Sequence, residues 1–362
     1  VRHVPLHRQG LSGVFQVTRF TLAANNGEIG GGEVMLLRTA KVLRQLGHEV
    51  TVVAPAIADG VGAAAAKAGF ATVAIKGQGR KAYMRNLRAW DASQRQGVLW
   101  CHGHVPALAT MGHPQRIVHL HQAPSFKHVV SGRLASRGAL ALAVPSASMA
   151  KHFPTSQIVY NWCEEVKTQP KGDLKAPITV GFLGRPSPDK GIEVLAEAMA
   201  QLNATRGNAF ELVVAGEPRF VDAAERERVS AALAPIASFT KQLGWTKRED
   251  FFNLVDLAVF PSIWPEPFGL MAAEAMSAKV PFVTSIAGAL PEVAGRDYSY
   301  QVAPGKAQEL ADAVAALVDT TPTKRAKQAE KEWQRWQRKF SPEAATKRIA
   351  AFLTDVLPQE VK

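Results

Sequence analysis

Apolar positions along this chain switch between two periods: short β-branched runs that read as buried strands, and longer stretches near 3.6 that read as helices. Val14–Phe20 predicts a first strand, followed by the turn-rich run Asn25 to Gly32. A helix is then expected from Glu33 to about Leu46, with Val34, Leu37, Val42 and Leu43 on its apolar face and Gly47 closing it. His48–Ala54 reads as the next buried strand. Strand, glycine loop, helix and strand form one unit of a doubly wound parallel sheet. Further strands are predicted at Ala71–Ile75, Val98–Cys101, Ile117–His121, Leu140–Val144 and Gln157–Tyr160.

These elements group residues 1–163 into one Rossmann-like α/β domain. The polar segment 164–176, which contains Pro and Gly, reads as a hinge. A second alternation occupies 177–340. Strands are expected at Ile178–Leu183, Phe210–Ala215, within Phe239 to Gly244, at Leu257–Phe260 and at Pro281–Ser285. Helices are expected at Gly191–Leu202, Ala223–Ala234, Lys247–Val255, Gln308–Val318 and Lys324–Lys339. A last helix, Pro342–Leu357, starts with Ser341 as its cap and Pro342 at its first position, and fills the segment 341–362. Two α/β domains joined by a hinge imply a cleft, with ligands at the strand carboxyl ends that face it.

At 362 residues the chain exceeds what one core usually holds. No apolar run approaches the ~18 to 20 residues of a membrane span, and residues 1–12 lack the apolar core of a signal peptide; whether those twelve are native stays open. Two cysteines, Cys101 and Cys163, form no disulfide framework, which suits a reducing, cytoplasmic setting. Cys101, His102 and His104 resemble half a zinc site, but no second cluster completes it, so no metal is expected.

Charge is unevenly placed. Eighteen Lys and Arg stand against five Asp and Glu up to Cys163, and 25 against 26 beyond it; all ten histidines also lie in the first part. A basic half suits an anionic substrate, an anionic membrane surface or nucleic acid. The charge concentrates in 76–95, where Arg80, Lys81, Arg85 and Arg88 surround Met84, Leu87 and Trp90 at helical spacing. That pattern predicts either an interfacial membrane helix or a solvated basic face over a core stripe.

The densest candidate chemistry is 261–276, PSIWPEPFGLMAAEAM. Pro265 and Pro267 keep Glu266 out of a helix interior. A helix opens at Phe268 or Gly269, leaving free amides near Gly269, Leu270 and Met271 and carrying Glu274. Carboxylates for hydroxyls beside amides for a diphosphate suit a sugar nucleotide. The loop Gly30-Gly31-Gly32 lets a ligand approach the backbone at a second helix start, and it has neither the spacing of a dinucleotide site nor that of a P-loop. Gly184 to Gly191 places Arg185 and Lys190 at a third, where cations are disfavoured unless an anion sits among them. His119 and His121 point to one face of their strand; His119 reads as a satisfied core residue and His121 as the active-site candidate.

Gly30–Glu33, His121, Asn161, Gly184-Arg185 with Lys190-Gly191, Ala215-Gly216-Glu217 and EPFGLMAAEAM together resemble the family-4 retaining glycosyltransferases of the GT-B fold, over roughly Val17 to Glu292. The resemblance implies two Rossmann-like domains facing a cleft, with the last helix crossing back onto the first. It implies a nucleotide diphosphate sugar as donor, UDP-sugar slightly ahead of GDP-sugar, and transfer of a hexose-type sugar without a metal cofactor. Arg185 and Lys190 would hold the diphosphate, Glu266 the sugar hydroxyls and Glu274 the ribose. Gly31 and Gly32 would approach the donor phosphate, and His121 would touch the transferred sugar. Gly184, Gly216, Phe268, Gly269 and Leu270 complete the expected donor site. The basic charge of the first half, as the acceptor half, suits a glycan or lipid-linked saccharide as acceptor and an enzyme that is cytoplasmic and peripheral on the inner face of the cell membrane. Ala289 and Lys279 stand where the family often has glycine. A GT-B-fold epimerase or phosphorylase, and a nucleic-acid-binding protein using the basic half, remain as alternatives.

Overall fold

The computed structural model describes residues 17–122, 125–169, 172–218 and 221–357. Residues 1–12, the first three positions of the predicted opening strand, and part of the hinge lie outside them.

Two wholly parallel sheets form the molecule. The first contains β1 (Arg19–Ala24), β2 (Glu49–Pro55), β3 (Ala71–Ile75), β4 (Val98–His102), β5 (Arg116–His119), β6 (Ala141–Val144) and β7 (Gln157–Ile158), in the order β3-β2-β1-β4-β5-β6-β7. The second contains β8 (Ile178–Leu183), β9 (Phe210–Ala215), β10 (Thr240–Gly244), β11 (Leu257–Phe260), β12 (Phe282–Ser285) and β13 (Gln301–Val302), in the order β10-β9-β8-β11-β12-β13. Strand order reverses beside β1, between β2 and β4, and again beside β8, between β9 and β11. A doubly wound sheet opens its ligand crevice at such a reversal, because the two crossover helices diverge there.

Helices cover both faces, so central strands are buried on both sides. All five residues of β4 are buried. Trp100 packs in one layer with Phe20 and Leu22, while Leu99 and Cys101 join the other with Val118 and Leu142. The helix Pro342–Val356 returns to the first domain: Ala345, Ile349, Phe352 and Leu353 enter its core, with Phe352 5.5 Å from the Trp100 ring. Ser341 caps it by accepting from the Ala344 amide at 3.2 Å. The preceding helix, Pro322–Lys339, instead leads Trp336 and Phe340 into the second core, which also takes Cys163 and Val166.

The first strand runs five residues later than the periodicity predicts, and β5 stops at His119, leaving His121 beyond the strand end. Helices at Val61–Lys67, His104–Ala109, Phe126–Ala135 and Leu290–Ala294 were not anticipated, being short or rich in alanine and glycine. At Lys279 the backbone is left-handed, with φ 54°. This position favours glycine; the lysine instead pairs with Glu330 at 2.8 Å and lies over the Trp333 ring.

The basic segment 76–95 folds as the helix Gly79–Ser93, and its apolar side faces the first core. Tyr83 and Leu87 are buried, Tyr83 donates to the Ala24 carbonyl at 2.8 Å, and Trp90 and Met84 pack against the same layer. Arg80, Lys81, Arg85 and Arg88 are exposed, and Arg88 donates to the carbonyls of Ala109 and Met111. The apolar stripe of this helix is thus turned toward the first core, with Met84 and Trp90 half-buried at its edge.

Candidate active site

The carboxyl ends of β1, β4 and β5 face those of β8 and β11 across the cleft, and a cavity of about 340 Å³ lies between them. The first domain contributes Asn25, Gly30, Gly31, Gly32, His102 and His121; the second contributes Lys190, Glu266 and the chain from Pro267 to Met271. Residues from loops far apart in sequence thus converge at both strand-order reversals.

The glycine loop after β1 is held from below. Glu33 is 3% exposed and accepts from the amides of Asn26 at 3.1 Å and Gly30 at 3.2 Å. Burial raises its pKa, an effect opposed by these amide hydrogen bonds. Asn25 accepts from the Val105 amide at 3.0 Å, tying this loop to the one after β4. Gly31 opens the helix Gly31–Gln45 toward the cavity, and a Cβ there would meet nothing within 4 Å. Gly31→Ala is therefore expected to leave the thermal midpoint unchanged while weakening by tenfold or more, in calorimetry, the affinity for a ligand that approaches this helix start. Unaltered affinity would show that no ligand approaches this backbone.

In the second domain, Gly191 turns the chain at φ 73°, and a Cβ there would lie 2.0 Å from the Pro261 carbonyl oxygen. Its absence lets the loops after β8 and β11 touch and brings Lys190 Nζ to 2.6 Å from Glu266 Oε1. Glu266 is 5% exposed and also accepts from the Ser262 hydroxyl. Gly269 caps the helix Leu270–Ser277 at φ 95°. The first amides of that helix, at Leu270 and Met271, have no intrahelical partners and carry its positive dipole end beside the cavity.

Several expected donor contacts stand elsewhere. Arg185, which does not line the cavity, donates to Asp189 at 2.8 Å. Gly184 and Gly216 support each other: a Cβ on Gly216 would lie 1.9 Å from the Gly184 carbonyl, so this glycine permits loop packing. Glu274 is 3% exposed, accepts from Arg248 at 3.2 Å and lies 3.9 Å from an Arg38 nitrogen of the first domain. Phe268 lines the cavity, yet its ring packs in the second core beside Phe340.

His121 lies at the cavity wall, its ring stacked on His102 with Nε2 3.0 Å from His102 Nδ1, and its centroid 4.1 Å from that of His119. Ligand atoms of these three lie within 4.8 Å of one another, the one group among the described residues with the spacing of a metal site. Cys101 and His104 are apart from it: Cys101 contacts Thr110, and His104 pairs with the His128 carbonyl. Burial pushes the His121 pKa down to about 3 and those of His102 and His119 well below the usual imidazole range, so all three are neutral at pH 7. His119 is buried as expected but is not satisfied, since neither ring nitrogen has a partner among the described residues. The sequence groups His102 with Cys101 and His104; the structure instead sets it beside His121 and, through the β4–β5 register, opposite His119.

The cleft is braced at one side by Glu292, which accepts from the amides of Ala147 and Ser148 and from the Tyr160 hydroxyl at 2.7 Å. Ser146 donates across the cleft to the Pro267 carbonyl at 2.7 Å.

Residues 165–335 match the family model described as Glycosyl transferases group 1. The chain is 32% identical over 143 residues to the lipopolysaccharide 1,2-N-acetylglucosaminetransferase of Salmonella typhimurium, an alignment covering 36% of this chain and 37% of that one. It is 32% identical over 135 residues to the MMP alpha-(1->4)-mannosyltransferase of Mycolicibacterium hassiacum, covering 37% and 32%. These matches thus span about a third of the relatives' length. Among solved structures, HepE of Anabaena in complex with UDP-glucose superposes with a TM-score of 0.78 at 20% identity, covering 93% of this chain and 99% of that one. Sucrose-phosphate synthase of Thermosynechococcus elongatus superposes at 0.76 with 16% identity, covering 93% and 98%. The fold is of the GT-B type: two parallel-sheet, Rossmann-like domains.

Proposed function

We propose that this protein is a retaining glycosyltransferase that moves a hexose-type sugar from a nucleotide diphosphate sugar to an acceptor hydroxyl. The supporting observation is the cavity in which Gly31, Gly32 and His121 face Lys190, Glu266 and the amide end of the helix Leu270–Ser277. In this reading the second domain, 177–340, binds the donor. Lys190 and the helix amides stabilise charge on the departing diphosphate, a large electrostatic contribution in a preorganised site. Glu266 accepts from a sugar hydroxyl, and neutral His121 offers the transferred sugar a hydrogen bond. Among the described residues, the first domain's carboxylate at the cavity, Glu33, is engaged with backbone amides, which disfavours it as a nucleophile. Front-face attack, with the donor phosphate taking the acceptor proton, accounts for retention.

Arg185 is paired with Asp189 and does not line the cavity, so it would reach the diphosphate by leaving that partner. Glu274 would meet the ribose by exchanging Arg248, which is the more exposed partner of that pair. The first domain, 1–163, takes the acceptor, and its positive charge suits an anionic or lipid-linked saccharide at a membrane surface. No helix among the described residues is long and apolar enough to cross a membrane.

UDP-glucose is the first donor to test, because the superposed HepE structure holds it. Calorimetry with UDP- and GDP-sugars is expected to show binding of at least one, favouring UDP, and a bound donor should raise the thermal midpoint. Binding of neither would refute the assignment. Release of free nucleoside diphosphate on adding acceptor separates transfer from epimerisation.

A further inference from the structure

The helix Phe126–Ala135 is inverted relative to an ordinary surface helix. Its inward side consists of Gly132 and Ala135, helped by Val129, and lies so close to the first core that a Cβ on Gly132 would come within 2.8 Å of Leu120. The large apolar side chains point outward: Phe126 is 85% exposed, Val130 52% and Leu134 40%. Spaced four apart, they form one stripe. Exposed Lys127, Arg133 and Arg137 flank that stripe, and Arg133 reaches the His152 carbonyl next to exposed Lys151. Among these positions there is no acid.

We infer that the outward face of the helix Phe126–Ala135 docks the protein on an anionic lipid surface, with Phe126, Val130 and Leu134 entering the headgroup boundary and Lys127, Arg133, Arg137 and Lys151 meeting the phosphates. An apolar stripe rimmed by cations alone is the composition of an interfacial helix, and each cation adds attraction to an anionic leaflet. A face against another protein surface of ordinary composition would carry acids as well.

The position of the helix gives docking a purpose. Gln122 lines the cavity and Phe126 begins the stripe, so the two are at most about 14 Å apart along an extended chain. Docking therefore brings the cleft mouth to the headgroups, within reach of a lipid-linked acceptor. This purpose rests on the proposed transfer reaction, whereas docking itself does not.

The test is co-sedimentation of the full chain with vesicles of phosphatidylcholine alone or with one-third phosphatidylglycerol, beside calorimetry with UDP-glucose. The native chain should sediment with the anionic vesicles and be released by 0.5 M salt. The variant Phe126→Ser/Val130→Ser/Leu134→Ser should lose tenfold or more of this binding, and Lys127→Gln/Arg137→Gln at least threefold, both with unchanged donor affinity. Absent binding by the native chain, or equal binding by the triple variant, overturns the inference. A concentration-dependent dimer abolished by the triple substitution, without lipid binding, would assign the stripe to a second copy and also overturn it. Lipid binding without donor binding would sustain docking while removing the transfer reading.

Discussion

Glu266→Gln is expected to lower kcat for sugar transfer by about 10²- to 10³-fold, the loss that follows removal of one preorganised polar group at a reacting centre. The carboxylate is almost wholly buried and lies 2.6 Å from the Lys190 ammonium. In the proposed transfer this acid would have two tasks: compensating the lysine before the donor arrives, and accepting from the sugar once the diphosphate has claimed that lysine. Alanine would be a poor probe, because breaking a buried ion pair from one side costs about 3–5 kcal/mol at full burial. Glutamine keeps the shape and an oxygen for Ser262. Lys190 keeps its charge, so affinity for free UDP should hold or rise while turnover collapses. Measured kcat at the native level would remove Glu266 from the chemistry; lost UDP affinity would show its role to be upkeep of the lysine.

Acid should unfold the protein through the histidine cluster. Burial holds the His121 pKa at about 3 and those of His102 and His119 well below the usual range, while an unfolded chain titrates its histidines near 6.5. Above that value both states are neutral and the full stability is present. As pH falls through it, the unfolded state takes up protons that the folded state refuses, so stability falls. Each histidine contributes a slope of about 1.4 kcal/mol per pH unit inside its window, and three give about 4 kcal/mol per unit below pH 6. Against a typical net stability of about 5–15 kcal/mol, unfolding is expected within a few units. Urea midpoints from pH 7.5 to 4.5 measure the slope. His119→Phe should flatten it by about a third, and an unchanged slope would show that this ring does not stay neutral in the fold.

The architecture was legible because a doubly wound sheet is written in local pattern. β8, β9 and β11 fall where the buried runs predict them, since a strand covered on both faces needs a continuous apolar segment that little else resembles. The convergence of Gly31, Lys190 and Glu266 was legible for the same reason: each stands at a strand-to-helix turn, and topology brings such turns to the cleft. Pairings within the site were not. Lys190 meets Glu266 because Gly191 allows two loops to touch, a steric event 76 residues apart in the chain. The segment 76–95 and the helix Phe126–Ala135 show the converse difficulty. Both mix apolar and basic residues, and only the packing partners decide that the first turns its apolar side inward and the second outward. For the second, the deciding residues are Gly132 and Ala135, whose small size carries no periodic signal.

The chain passes between the two domains twice, once after Cys163 and once after Phe340, and the Cys163 amide donates to the Phe340 carbonyl at 3.1 Å. Both crossings therefore lie on one spot and act as a single pivot. Rotation about that spot keeps both covalent connections at constant length, whereas sliding the domains apart would stretch one of them. A swing about that spot would change the distance between Gly31 and Lys190, and the bonds of Glu292 and Ser146 across the cleft would oppose it. A polypeptide ending near Lys339 would lose half the pivot and the layer formed by Ile349, Phe352 and Leu353, so the first domain is complete only when its distant carboxyl-terminal segment is present.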